Sequence, residues 1–224
     1  MAGSHVALTP AERPLSIDPM AANAHKVRLP IPEELQGQAF PPQGRWTYED
    51  YLRLPDDGRR YEVLRGVLYV TAAPNPLHQF ALRNIVRLLV LFLERTPLGE
   101  FFLSPTDLIL PKGLTAPVQP DLFFVRGEEW RGTITNRYME GAPDLILEIL
   151  SPSTRRLDRG AKLEVYAQAG VLEYWLADPL ARTIEVFVLR DGTYELFGKF
   201  ARGEHLRSEM LPGFEPALDK IFKD

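Results

Sequence analysis

Apolar positions along the chain fall into two kinds of run. Over residues 77 to about 95 they recur three and four apart. Leu82, Ile85, Val86, Leu89 and Phe92 fill one broad face, while Gln79, Arg83 and Arg87 lie on a stripe at i, i+4 and i+8. That period predicts a long amphipathic helix, entered after the breaker Pro74-Asn75-Pro76. A second helix is expected over about 154–169, stopped by Gly170. Thr47-Tyr48-Glu49-Asp50 reads as an N-cap followed by acids in the first turn of a short helix, which Pro55-Asp56-Asp57-Gly58 ends. A further short helix near 216–222 closes the chain.

The remaining apolar runs have strand length. Residues 61–64 and 67–70 flank Arg65-Gly66 and predict a β-hairpin. Runs at 101–110, 121–125 and 144–150 follow, then 173–177, 183–189 and 194–197, with turns at Asp178-Pro179 and Asp191-Gly192. The order α, β-hairpin, α, three strands, α, three strands predicts one α/β domain with a mixed sheet. It is not the regular alternation of a doubly wound fold. Residues 1–42 differ: they hold seven of the 20 prolines and show no apolar period. They read as a Pro-rich N-terminal extension to a domain at 43–224, with Met1 to His5 resembling a tag remnant.

Composition narrows the chemistry. The chain has 224 residues, 45% hydrophobic and 25% charged, enough to bury a core. It contains no cysteine, so a thiolate metal site or a Cys nucleophile is excluded. The longest uninterrupted apolar run, residues 88–93, is too short to span a bilayer, and no basic segment followed by an apolar run marks a secretory signal. The expectation is a cytoplasmic protein without a membrane partner. Net charge is −4, which excludes a uniformly basic surface but not a local basic groove.

The sharpest anomaly is Glu148, in the middle of Asp144-Leu145-Ile146-Leu147-Glu148-Ile149-Leu150. Apolar residues on both faces mark a central strand covered on both sides. A carboxylate there is costly to desolvate without a cation, a donor or water beside it. Asp121 opens another buried run, and two acids on adjacent strands can hold one hard divalent cation through oxygen. Lys162 and Tyr166 share a helix face at i, i+4, and the short loop Ser151-Pro152-Ser153-Thr154 folds that helix back over Glu148. The Lys162 ammonium is then expected near Glu148 and Asp121. Glu62, in the hairpin, is a further acid. His78, at the start of the long helix, and Arg155 and Arg156, at the start of the second, are candidate substrate contacts with Tyr166. A serine hydrolase built on Ser151 or Ser153 is disfavoured, because no Gly-x-Ser-x-Gly elbow exists.

These residues form an ordered series of motifs. Arg60-Tyr61-Glu62-Val63-Leu64-Arg65-Gly66 is followed by Pro76-Leu77-His78-Gln79, Val118-Gln119-Pro120-Asp121-Leu122 and the run from Gly141 through Glu148 to Thr154. Lys162 with Tyr166, Ala169-Gly170-Val171-Leu172-Glu173-Tyr174-Trp175 and Leu211-Pro212-Gly213 complete it. In this the chain resembles the Uma-two family, a bacterial group assigned as endonucleases within the PD-(D/E)xK, restriction-endonuclease-like superfamily. The resemblance runs from about Thr47 to the C-terminus. It implies a restriction-endonuclease-like core: a mixed β-sheet flanked by helices, here with an N-terminal β-hairpin.

By that resemblance Asp121 is the Asp of the "PD" element, Glu148 the acid of "(D/E)xK", and Glu62 the additional acid of the first strand. Leu150 stands where the pattern has lysine, and Lys162 from the next helix is the matching position. The implied activity is metal-dependent hydrolysis of DNA phosphodiester bonds. Asp121 and Glu148 would bind the metal, and Asp121, Glu148, Lys162 and Glu62 would form the catalytic set. Mg²⁺ or Mn²⁺ suits oxygen ligands; the absence of cysteine and the four histidines argue against zinc. A homodimer is expected by analogy with nuclease folds of this size. Lys162→Ala is expected to spare folding, since alanine favours helices. The alternative is a catalytically inactive nuclease fold that serves as a nucleic-acid-binding or scaffold module.

Overall fold

The computed structural model describes residues 40–71, 73–128 and 133–223. The expected Pro-rich extension lies outside the described residues up to residue 39. From Phe40 the chain is packed: its ring stacks on Trp46 and joins a small cluster with Tyr61, Val63 and Leu68.

Helix α1, Tyr48–Tyr51, is a single turn held by a reciprocal capping box between Thr47 and Asp50. Strands β1, Arg60–Leu64, and β2, Val67–Thr71, pair antiparallel around Arg65 and Gly66. Both turn residues have positive φ, 49° and 72°, the backbone twist that suits a two-residue hairpin. A side chain at Gly66 would meet the Gly44 carbonyl oxygen at 2.6 Å, so only glycine lets that segment approach. Helix α2, Pro76–Leu93, starts as expected after Asn75, whose side chain accepts the His78 amide.

The expected strand at 101–110 is two strands. β3, Gly99–Leu103, ends before Ser104-Pro105, and β4, Leu108–Ile109, resumes in a different sheet with β6, Met139–Glu140. Pro105 offers no amide hydrogen to a ladder, which accounts for the break. The main sheet adds β5, Leu122–Arg126, β7, Leu145–Ile149, β8, Glu173–Asp178, β9, Thr183–Arg190, and β10, Thr193–Phe200. Its order is β10-β9-β8-β7-β5-β3. Only β7 and β8 run parallel, so the sheet is mixed, as expected.

Strand β7 lies centrally and all five of its residues are buried. Its odd residues, Leu145, Leu147 and Ile149, face a core with Ala81, Ile85 and Leu89 of α2 and with Leu218 and Ile221 of α5, Leu218–Ile221. By composition and length α2 could cross a bilayer, but those three residues tie it to the sheet. The even residues face the opposite core, with Val165, Tyr166 and Ala169. Glu148 therefore points toward the second helical layer.

That layer is the expected helix at 154–169 with one difference. It consists of α3, Arg155–Leu157, a π-helical turn, Asp158–Lys162, and α4, Leu163–Ala169. A strict α-helix turns 400° in four residues, so positions four apart drift around it. The wider π turn offsets that drift, and Asp158, Lys162 and Tyr166 are all buried. Gly170, at φ 93°, ends the helix.

Candidate active site

The register of the sheet brings the two strand acids together. Leu122 pairs with Leu147 across antiparallel β5 and β7, so Asp121 falls opposite Glu148 on the same face. From the other layer, the π turn and α4 carry Lys162, Asp158 and Tyr166 down onto Glu148. From the hairpin, β1 contributes Glu62 and Arg60. From the start of α2 comes His78. Glu62, His78, Asp121, Glu148, Asp158 and Lys162 are all buried, and with Arg60 they line one cavity of about 180 Å³.

Two subsites share it. In the first, Asp121 accepts from Arg60 Nη1 on Oδ1 at 3.0 Å; His78 Nε2, 3.0 Å away, and the Ile149 amide, at 2.8 Å, reach Oδ2. Burial alone would raise this carboxyl. His78, Arg60 and the Ile149 amide outweigh it and hold Asp121 at about 2. In the second, the Lys162 ammonium donates to Glu148 Oε1 at 2.9 Å and Glu62 Oε1 at 3.1 Å, with Asp158 Oδ1 at 3.7 Å. Tyr166 Oη donates to Glu148 Oε1 at 2.8 Å, and the Gln119 amide to Glu62 Oε1 at 2.9 Å. Burial, with Asp121, Asp158 and Glu62 nearby, pushes Glu148 up to about 8 despite Lys162. Burial likewise pushes Asp158 up to about 6. Desolvation opposes the charge on Lys162, but Glu148, Glu62 and Asp158 outweigh it and raise its pKa, so it stays an ammonium.

Several expectations change here. Lys162 binds Glu148 and Glu62; Asp121 is held instead by Arg60 and His78. Tyr166 is fully buried and orients Glu148 rather than lining the cavity. Arg155 turns to Asp178 at 2.8 Å, and neither it nor exposed Arg156 lines the cavity. Arg65 pairs with Glu164 and Arg159 with Glu185, and neither lines the cavity, whereas Arg60 does. Buried among three carboxylates, Lys162 is also no candidate for a harmless alanine substitution. Asp158 was missed by the sequence reading. Its spacing of four before Lys162 was the available signal.

The cavity also collects unsatisfied polar atoms. Among the described residues, two buried polar atoms of the cavity, Thr71 Oγ1 and His78 Nδ1, lack a hydrogen-bond partner, while Glu62 Oε2 and Asp158 Oδ1 face the Lys162 ammonium at 3.0 and 3.7 Å without a well-aligned hydrogen bond. An atom left without a partner costs about 1–3 kcal/mol unless something fills its valence. Four carboxyls, those of Glu62, Asp121, Glu148 and Asp158, face Arg60, Lys162 and the His78 ring. The acids outnumber the basic groups, and carboxylate oxygens are the donors that a hard divalent cation prefers. The residues thus fit Mg²⁺ or Mn²⁺ by charge and donor type. Among the described residues, no three His, Asp or Glu side chains are already disposed as a metal cluster. Asp121 is engaged by three donors, and Lys162 stands between the other acids.

Among curated proteins, none matches the chain's sequence. A crystal structure titled as that of a putative nuclease belonging to DUF820, from Anabaena variabilis ATCC 29413, superposes with a TM-score of 0.64 at 20% identity. The match covers 79% of this chain and 97% of that one. It establishes a shared fold, the mixed sheet flanked by helices that the motif series implies. The model of the Uma2 family, described as "Putative restriction endonuclease", matches residues 48–219, well over half of the chain, and the chain belongs to that family.

Proposed function

We propose that this protein is a metal-dependent endonuclease that hydrolyses DNA phosphodiester bonds at the cavity lined by Asp121, Glu148, Glu62 and Lys162. The observation that carries the reading is the convergence of four buried acids, Glu62, Asp121, Glu148 and Asp158, with Lys162 on one cavity. Glu148 and Asp121 would hold Mg²⁺ or Mn²⁺, with the carboxyls of Glu62 and Asp158 close by, each paired with Lys162. Bound there, the cation supplies charge neutralisation at the phosphate and a water acidic enough to ionise near neutral pH. Lys162 sets a compact positive charge next to the acids, where a pentacovalent phosphate gains negative charge. Tyr166 fixes the Glu148 carboxylate. Arg60 and the unused His78 Nδ1 rim the cavity as contacts for phosphate oxygens.

Supercoiled plasmid tests this. Wild type is expected to nick it with Mg²⁺ or Mn²⁺ and not in EDTA. Glu148→Gln should lose about 10²-fold or more of that rate, the usual scale for removing a group that stabilises developing charge. Cation-independent nicking, or full activity in Glu148→Gln, would refute the assignment.

One observation favours the inactive alternative: Lys162 already satisfies part of the acid cluster, as a structural ion network would. Calorimetry with Mn²⁺ separates the two, since a purely structural network takes up no cation. Two copies are also proposed to pair, with exposed Leu77, Phe80 and Leu91 of α2 available for contact. A monomer mass by light scattering would count against pairing.

A further inference from the structure

A second cavity, of about 460 Å³, lies between α2 and the C-terminal segment. Arg83 and Arg87 enter it one helical turn apart, and Lys220 and Lys223 face them. Asn84 and Leu88 complete the lining, so it contains no acid. None of the four cations makes an ion pair among the described residues. Among the described residues, Arg83 bonds to Asn84 Oδ1 and stacks over Phe80 at 5.0 Å. The two walls are fastened: the Asn84 side-chain amide donates to the Ile221 carbonyl at 2.9 Å and to that of Lys223 at 3.3 Å. All four are exposed, so water screens their mutual repulsion in part, and an anion lying between them would relieve the rest.

We propose that this pocket is a phosphate-backbone site, holding the nucleic acid whose scissile phosphate occupies the acidic cavity. The inference rests on the nuclease reading and adds to it. The acidic cavity by itself attracts a polyanion poorly, so the affinity must come from elsewhere on the surface. His78 touches the acidic cavity at the start of α2, and Arg83 and Arg87 lie five and nine residues further along the same helix. At 1.5 Å per residue they stand about 7.5 and 13.5 Å from it along the axis. At 3.4 Å per nucleotide, that is roughly two to four phosphates along one strand. The contact carries no sequence information; it sets affinity and register.

The test is the salt dependence of binding to a fluorescent duplex of about 20 base pairs in EDTA, where counterion release reports phosphate contacts. Wild type is compared with Arg83→Gln/Arg87→Gln, which keeps much of the apolar stem on the helix. The double variant should flatten the slope of log K against log salt by about two. Its affinity at low salt should fall tenfold or more. Arg95→Gln, just past the C-terminal end of that helix and outside the pocket, should match wild type. An unchanged slope in the double variant, with duplex still bound and nicked, would overturn this assignment alone. So would saturation of the pocket by inorganic phosphate in calorimetry together with an unchanged duplex slope, which would mark a site for small free anions. If wild type neither binds nor nicks nucleic acid with or without Mg²⁺, the nuclease reading falls and this inference falls with it.

Discussion

Lys162→Met in the cation-free protein should lose about 3–5 kcal/mol of folding stability, a large share of the roughly 5–15 kcal/mol a domain of this kind possesses. The methionine keeps most of the stem volume, so packing changes little. What disappears is the ammonium that neutralises Glu148, Glu62 and Asp158, all nearly inaccessible to water. A single buried carboxylate without its partner is already expensive, and three share this one. Urea unfolding measures the loss directly.

Two companion measurements separate the cause from a general packing defect. Adding Glu148→Gln removes one of the abandoned charges, so the double variant should be more stable than Lys162→Met alone. Such non-additivity is expected of groups in contact. Mn²⁺ should also restore part of the lost stability to Lys162→Met, and less to the double variant, because the cation takes over the neutralising role through Glu148. Wild-type stability of Lys162→Met in EDTA would show that the ammonium is not what holds these acids together.

This lysine illustrates how much of the site could be read from residue order. Its partnership with Glu148 followed from helix spacing and a four-residue loop, both local features. So did the hairpin, through Arg65-Gly66, and the buried central strand, through apolar residues on both faces. What escaped the reading depends on how separate layers meet. No local signal shows that Arg60 of the hairpin reaches across to Asp121, or that Arg155 turns away to Asp178. The π turn escaped because Asp158–Lys162, Gly160 included, carries no pattern that tells it from a turn of α-helix; only the fold around Glu148 rewards the extra width. Asp158 was hidden for the same reason, since an aspartate near a helix start commonly faces solvent. The break at Pro105 was legible: a proline inside an apolar run argues against one continuous strand.

The acids that gather around Lys162 also give the protein an unusual dependence on pH. Glu148 is raised from 4.5 to about 8 and Asp158 from 3.8 to about 6, chiefly by burial. Between those limits the folded protein keeps protons that the unfolded chain has released. Stability must therefore fall as pH rises from about 5 to about 8, by an amount on the order of a few kcal/mol. Asp121 acts in the opposite direction. Held at about 2, it contributes stability above 3.8 that is lost only as pH drops toward 2, outside this window. In Glu148→Gln the side chain carries no titrating proton, so the difference between wild type and this variant isolates its share. Urea midpoints at several pH values in EDTA should show wild type losing stability relative to Glu148→Gln as pH increases. Saturating Mn²⁺ should flatten or reverse the wild-type trend, because a cation binds the ionised carboxylates and displaces their protons. If wild type and Glu148→Gln instead run parallel across the window in EDTA, Glu148 holds no proton there. Burial then does not hold this carboxyl in its neutral form, and the pH dependence has another source.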